Sequence, residues 1–456
     1  MRNSVRWGDS DMTSRALTKT GQPGTKRFRR WLLPLLLVAC AVLAYGAAAN
    51  RAGLRAANEA PVPAELADQI TVLGIVNARY WAWIDTRGAA LVSEWQDSLE
   101  RERIIAGLDG RLPPTNYLSV SGGGGDGAFG AGLICGWSDA GTLPTFKLVT
   151  GVSTGSMIAP FVFLGGPYIE RLRQIYTTIS DKDIRTMRAL NGLYGVVFGD
   201  AISDTTPLYE LISRYVDKQM LADIAAAYDK GRLLMIATAS LDQQRPILWN
   251  IGPIAASGHP DSLELVRKII LASASIPGVF PPVMINVEAN RQHYQEMNVD
   301  AGVVAQMFLY PVDLGLRMNL QTGRFARTRN AYIIRNGRLD PNWASVNRDF
   351  LTITGRAIDT MIHYLGYNDI LRLYETSKRD NVDYNLAFIE TDFVKKKRDV
   401  FDPEYMKALF DYAYEKGRRG YAWHKQPPAL NVPQHELAPG LAPRPVPDPA
   451  ASLGRN

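Results

Sequence analysis

Two glycine-rich turns constrain the fold more than any other feature of this sequence. The turn at residues 122–125 follows a short apolar run at 117–120, and the turn at 151–155 follows another at 146–150. Each turn also precedes a helix-like stretch. Strands that alternate with helices in this way form a mainly parallel sheet with helices on both faces. The sequence therefore predicts an α/β fold.

The same alternation continues along the chain. Further strands are predicted at residues 233–239, 246–250, 294–299, 331–335 and 384–390, and helices at 128–140, 154–164, 205–226, 261–274, 350–378 and 403–416. Two more helices, at 64–83 and 89–108, are predicted before the first glycine turn, so residues 55–114 form a helical N-terminal extension. Residues 426–456 are rich in proline and predict a disordered tail.

The positive charge of the chain is concentrated at its N-terminus. The whole chain has a net charge of +6, and residues 1–60 alone have ten Lys and Arg residues against three acidic ones. The remaining chain is close to neutral, which argues against a broad basic face for nucleic acid. Residues 395–398 form a short basic run that could touch anionic head groups, although such runs are more often simply solvated.

Cysteine and histidine usage predicts neither a metal site nor a cofactor. The chain has two cysteines, Cys40 and Cys135, which are too few for a disulfide framework or a thiolate metal site. Its five histidines are scattered, without the spacing of a zinc hydrolase.

The N-terminal segment, residues 1–54, has the pattern of an export signal or membrane anchor. The basic run 26–30 precedes the apolar residues 31–49, which have no charge. Three outcomes are open: cleavage after Ala49, lipidation of Cys40 in a lipobox-like sequence, or a retained anchor. All three place the body beyond the inner membrane, in the cell envelope.

The second glycine turn fits the nucleophile-elbow pattern Gly-x-Ser-x-Gly. In it Gly151 and Gly155 flank Ser153 at two residues' distance. A sharp strand-to-helix turn of this kind exposes the serine hydroxyl, and the glycines keep other side chains away from it. The helix that follows directs backbone N–H groups toward the reacting centre.

The first glycine turn predicts an anion-binding loop. Residues 121–127 read Ser-Gly-Gly-Gly-Gly-Asp-Gly, and a run without side chains lets backbone N–H groups converge on an anion. The loop would bind either a phosphate or the oxyanion of acyl transfer. No Gly-Lys-Ser/Thr ending follows, so it is not a Walker A loop. A dinucleotide fingerprint is matched only loosely, since the expected acidic residue is missing.

A nucleophilic serine needs a base, and Asp300 is the best candidate. Asp300 ends a predicted strand and precedes Ala301 and Gly302, whose small size lets the backbone approach closely. No motif surrounds His259, His293 or His363.

In this order, the glycine loop, Gly-x-Ser-x-Gly and the strand-end aspartate resemble the patatin-like phospholipase family. The segment 272–282, Ala-Ser-Ala-Ser-Ile-Pro-Gly-Val-Phe-Pro-Pro, is similar to a fourth block of that family. The resemblance implies a three-layer α/β/α sandwich over residues 115–425. It also implies a Ser-Asp dyad in which Ser153 is the nucleophile and Asp300 the general base, with an acyl-enzyme intermediate.

The resemblance further implies that the N–H groups of Gly122, Gly123 and Gly124 bind the oxyanion, and that the substrate is a membrane lipid or acyl ester. One departure is Asp126, which stands where the family usually has Arg or Lys; a carboxylate there should repel developing negative charge. Another is Asp-Ala-Gly at 300–302 in place of Asp-Gly-Gly or Asp-Gly-Ala. Two alternatives remain open: an esterase or thioesterase for soluble acyl substrates, and an envelope binding module with a degraded site.

Overall fold

The computed structural model describes residues 60–82, 89–105, 107, 112–178, 186–187, 203–310, 314, 327–399 and 401–431. The predictions for residues 1–54, which include Cys40 and Ala49, and most of the predicted tail lie outside these residues. None of the helices in the described ranges is both long and apolar enough to cross a membrane.

The described chain is built around one large sheet. Its strands are β1 Arg79–Trp81, β2 Thr115–Val120, β3 Leu148–Gly151, β6 Leu233–Ser240, β7 Arg245–Asn250, β8 Val283–Ala289, β9 Gln292–Asp300, β10 Arg329–Arg335 and β11 Asp383–Phe388; β4 Thr186–Met187 and β5 Ser203–Asp204 pair separately. The order β1-β7-β6-β3-β2-β10-β11 contains a parallel run from β6 to β11. Strand β9 pairs antiparallel with the end of β6 and with β8.

Helices cover both faces of this sheet. They are α1 Ala89–Ile105, α2 Gly127–Asp139, α3 Thr154–Leu164, α4 Pro167–Thr178, α5 Thr206–Tyr215, α6 Lys218–Asp229, α7 Ile251–Ala256, α8 Ser262–Ala274, α9 Phe350–Arg379 and α10 Pro403–Arg418. Short 3-10 helices span Ala64–Gln69, Gly124–Asp126, Ala301–Val303 and Pro428–Asn431.

Successive residues of the central strands enter two different apolar clusters. Tyr117 packs with Trp95 of α1 on one face, whereas Leu118 packs with residues of α2 and α10 on the other. This alternation follows from the two-residue period of a strand between two helical layers. The predicted mainly parallel α/β fold is confirmed.

The helix predicted at residues 64–83 was wrong. Only Ala64–Gln69 is helical, as a 3-10 turn, and Arg79–Trp81 pairs with β7 at the sheet edge. Leu73, Gly74 and Asn77 have left-handed backbone angles, with φ of 51°, 64° and 60°, which interrupt a right-handed helix. Strand β8 and helix α4 were not predicted, and the helix predicted at 205–226 is two helices, α5 and α6.

Candidate active site

Ser153 lies in a strained turn between β3 and α3. Its φ of 54° and ψ of −126° are unfavourable for a residue with a side chain. A Cβ on Gly155 would lie 2.2 Å from the carbonyl oxygen of Val120, so only glycine fits there. The sequence pattern and the geometry therefore agree on a nucleophile elbow.

Three hydrogen bonds hold the Ser153 backbone in this turn. Its N–H donates to the hydroxyl of Ser273 over 3.0 Å. Its carbonyl oxygen accepts from the N–H of Ser156 over 2.8 Å and from the Ser156 hydroxyl over 2.6 Å. Ser273 belongs to the 272–282 block noted in the sequence, but its contact with the turn was not foreseen.

Strand pairing brings Asp300 to Ser153, because β9 pairs with β6 and β6 is the neighbour of β3 in the sheet. Asp300 ends β9, and its N–H donates to the carbonyl oxygen of Ser275 over 2.9 Å. Its carboxylate accepts from the Gly302 N–H over 2.7 Å and lies close enough to the Ser153 side chain to interact with it. Among the histidines of the described ranges, none hydrogen-bonds to either residue.

Burial changes the acidity of Asp300. Its side chain is 4% exposed, and removal from water disfavours the charged carboxylate. Burial therefore raises the pKa of Asp300 to about 7, although the interactions with Ser153 and the Gly302 N–H lower it in part. A carboxyl group with such a pKa can accept and return a proton near neutral pH.

The glycine loop lies directly against Ser153. A Cβ on Gly122 would lie 3.0 Å from the Ser153 Cβ. The Gly122 N–H donates to the carbonyl oxygen of Gln306 over 3.2 Å, so in this conformation it is occupied. Within the described part of the chain, the N–H groups of Gly123 and Gly124 have no acceptor. These two groups are free donors on the glycine loop, next to Gly122.

Gln306 connects the elements of the site. Its carbonyl oxygen accepts from Gly122, and its Nε2 donates to the carbonyl oxygen of Gly302 over 3.0 Å. Its N–H donates to Asp369 on α9 over 2.7 Å, and its Oε1 accepts from Arg335 at the end of β10 over 3.2 Å. No sequence motif marked Gln306, because its partners are distant in the chain.

Asp126 does not stand as an isolated charge beside the glycine loop. Its carboxylate lies 3.4 Å from the Lys397 ammonium group and interacts with the Tyr405 side chain. The buried Arg335 guanidinium also interacts with it electrostatically. Burial lowers the pKa of Arg335 to about 10, so this guanidinium remains charged near neutral pH. The repulsion expected from Asp126 is therefore offset by neighbouring cations.

Comparison with known proteins adds one family match. Residues 118–313 match the family described as Patatin-like phospholipase. No protein in a search of curated proteins matches.

Two solved structures are similar to the chain. VipD from Legionella pneumophila is 12% identical, with 68% of this chain and 66% of VipD covered and a TM-score of 0.26. Human GIVD cytosolic phospholipase A2 is 11% identical, with 57% of this chain and 49% of that chain covered and a TM-score of 0.25. The chain thus spans less than two thirds of either protein.

Proposed function

Because residues 118–313 match the patatin-like phospholipase family, we propose that the protein is a serine hydrolase that cleaves carboxylic esters of membrane lipids. The family match supports a lipid acyl hydrolase, and we propose phospholipids as its substrates. One observation carries it: the strained, glycine-flanked Ser153 lies beside the buried Asp300, and its side chain stabilises the Asp300 carboxylate. In the proposed reaction, Ser153 is the nucleophile and Asp300 the general base.

The first half of the reaction acylates Ser153. Its Oγ attacks the ester carbonyl carbon while its proton passes to the Asp300 carboxylate. The carbonyl oxygen becomes an oxyanion, which the N–H groups of Gly123 and Gly124 stabilise. The C–O bond to the alcohol then breaks, the alcohol takes the proton from Asp300, and the acyl group remains on Ser153.

The second half releases the acid. Asp300 takes a proton from a water molecule, whose oxygen attacks the acyl carbon. The same two N–H groups bind the second oxyanion. When it collapses, the bond to Ser153 breaks, the Ser153 oxygen recovers a proton from Asp300, and the carboxylic acid leaves. The pKa of Asp300, about 7, allows it to accept and donate in turn.

Hydrolysis assays of the full chain test this proposal. Nitrophenyl butyrate and phospholipid vesicles serve as substrates in the presence of EDTA, with Ser153→Ala and Asp300→Asn beside the wild type. Each variant should lose activity on both substrates by about 10³-fold or more. Ser93→Ala and Asp97→Asn on the exposed side of α1 are matched controls and should retain activity. Full activity in Ser153→Ala would overturn the proposal, and activity on the soluble ester alone would favour a soluble-substrate esterase.

We also propose, from residues 26–49 of the sequence, that the protein is exported to the cell envelope. The intact mass of the protein isolated from membranes distinguishes the three forms. Cleavage after Ala49 and lipidation of Cys40 give different masses, and a retained anchor leaves the full chain.

A further inference from the structure

Several large apolar side chains are exposed on one part of the surface. In segment 341–349 Trp343 is 86% exposed, and on the first half of α9 Met361 is 58% exposed. Val394, in the loop before α10, is 82% exposed. Three further residues of the same segments are exposed: Val346, Ile353 and Tyr364. Single exposed apolar residues are ordinary, but a group of this size marks an interaction surface. We refer to these six residues as the apolar rim.

The segments that carry the apolar rim are neighbours in space. The Arg356 guanidinium on α9 donates to the carbonyl oxygen of Asn342. Nη1 of Arg338 donates to the carbonyl oxygen of Phe393 over 2.9 Å. Lys397 acts electrostatically on Asp359 of α9. These contacts join segment 341–349, α9 and the loop of Val394 into one surface.

The same surface borders the glycine loop. Lys397 pairs with Asp126, whose loop carries the free N–H groups of Gly123 and Gly124. Gly366 of α9 packs against the Arg335 guanidinium, which in turn holds Gln306. The apolar rim therefore lies on a surface that borders the glycine loop.

Cations accompany the exposed apolar side chains. Residues 395–398 read Lys-Lys-Lys-Arg, next to Val394. Lys397 and Arg398 pair with Asp126 and Glu404, respectively. In the described part of the chain, neither Lys395 nor Lys396 has a carboxylate oxygen within 4.0 Å of its ammonium group. Lys395 donates to the backbone carbonyl oxygen of Glu404. Two uncompensated ammonium groups beside apolar side chains match an anionic lipid surface.

We propose that the apolar rim docks on a bilayer that contains anionic lipid. Trp343, Met361 and Val394 would enter the head-group layer, while Lys395 and Lys396 would contact lipid phosphates. The inference rests on the proposed function, because Ser153 is only 6% exposed and its lipid substrate must leave the bilayer to reach it. Docking at the side of the glycine loop shortens that transfer.

Matched variants of the full chain test the docking. The rim variant combines Trp343→Ser, Met361→Ser and Val394→Ser, and the charge variant combines Lys395→Gln and Lys396→Gln. The apolar control combines Val76→Ser, Ile104→Ser and Leu430→Ser, which are similarly exposed elsewhere. The charge control combines Arg418→Gln and Arg419→Gln. Each is assayed on nitrophenyl butyrate and on vesicles with or without phosphatidylglycerol.

The docking proposal predicts a selective loss. The rim variant should retain its soluble-ester rate within about twofold and lose at least about tenfold on phosphatidylglycerol vesicles, since the lost contacts lie outside the site. The charge variant should lose vesicle activity only when phosphatidylglycerol is present. Both controls should behave as the wild type.

A second measurement does not depend on turnover. Brominated lipids should quench part of the tryptophan fluorescence of the full chain, and Trp343→Phe should remove that part. Absence of quenching at Trp343 together with unchanged vesicle rates in the rim variant would overturn the docking proposal. A change of oligomeric mass in the rim variant would assign the face to a second copy and also overturn it. If the wild type is inactive on both substrates, the proposed function is wrong. The quenching experiment still tests the docking proposal in that case, because it does not require hydrolysis.

Discussion

At the scale of single residues, the account depends on the environment of Asp300. A carboxylate can replace the usual histidine only if it holds and releases a proton near neutral pH. Burial supplies this property, since it raises the pKa of Asp300 to about 7. The Gly302 N–H and the Ser153 side chain stabilise the charged carboxylate and so lower the pKa of Asp300 in part.

The first prediction concerns the pH dependence of hydrolysis. As a general base, Asp300 must be deprotonated, so kcat/KM on nitrophenyl butyrate should rise with pH, with a midpoint near 7. The profile is measured from pH 5 to 9 after confirming that the enzyme survives incubation at each pH. A midpoint near 4, the ordinary range of a carboxyl group, would contradict the assigned environment of Asp300.

The second prediction concerns Gln306 as a positioning residue. Gln306→Glu replaces the Nε2 donor to Gly302 with a negative charge near Asp300, which disfavours ionisation of Asp300. We expect kcat/KM to fall by about tenfold or more and the midpoint of its pH profile to rise. Gln219→Glu, on the exposed side of α6, is the matched control. An unchanged pH midpoint in Gln306→Glu would refute this role.

Sequence alone identified the residues that belong to local patterns. Ser153 and the glycine loop each occupy a short motif, and Asp300 has small residues after it. Gln306 and Ser273 were missed in these roles because their contacts come from segments far apart in the chain. That the Gly122 N–H is occupied by Gln306 was equally invisible, since it depends on tertiary packing.

At the scale of elements, helices α2 and α10 pack unusually closely behind the glycine loop. Gly132 of α2 faces the backbone of Phe410, and Gly136 faces that of Tyr414. Without side chains at these positions the two helix backbones nearly touch. The packing fixes α2, which begins at the end of the glycine loop.

The third prediction tests this contact. In Gly132→Ala the new Cβ would lie 2.3 Å from the Phe410 carbonyl oxygen, so the helices must separate. We expect the free energy of unfolding to fall by about 1–3 kcal/mol in urea titrations. Gly355→Ala on α9 is the control, because nothing lies within 4 Å of its new Cβ. It should stabilise the protein by up to about 1 kcal/mol. Equal effects of the two substitutions would count against close α2–α10 packing.

Helices and strands were predicted correctly where the sequence pattern was long. They were predicted wrongly where pairing with a distant strand determines the structure. The apolar runs of β2, β3 and β6 and the periodic helix α9 were predicted nearly at their observed bounds. The segment 64–83 was misassigned because its last residues, Arg79–Trp81, pair with β7 at the sheet edge instead of continuing a helix. Sequence periodicity does not report such pairing.

At the scale of the whole molecule, we expect ionisation of the buried Asp300 to lower the stability of the folded protein. The pKa of Asp300 is higher in the folded protein than the ordinary 3.8 of an unfolded chain. The folded state therefore binds a proton more tightly, and stability is lost as pH rises from about 4 to about 7.

The fourth prediction follows from this linkage. Asp300→Asn removes the buried charge and keeps an acceptor for the Gly302 N–H. It should raise the free energy of unfolding at pH 8, by at most on the order of 4 kcal/mol, and have little effect at pH 4. Thermal melts of wild type and variant at both pH values measure the difference. A variant less stable than the wild type at pH 8 would contradict a destabilising Asp300 charge.

The most direct test of the central claim is covalent labelling of Ser153. A fluorophosphonate probe is incubated with the full chain at pH 8, and the modified peptide is identified by mass spectrometry. The account predicts one adduct on Ser153, none in Ser153→Ala, and labelling slowed by about 10²-fold or more in Asp300→Asn. A folded wild type that stays unlabelled, or carries its adduct on another serine, would contradict it.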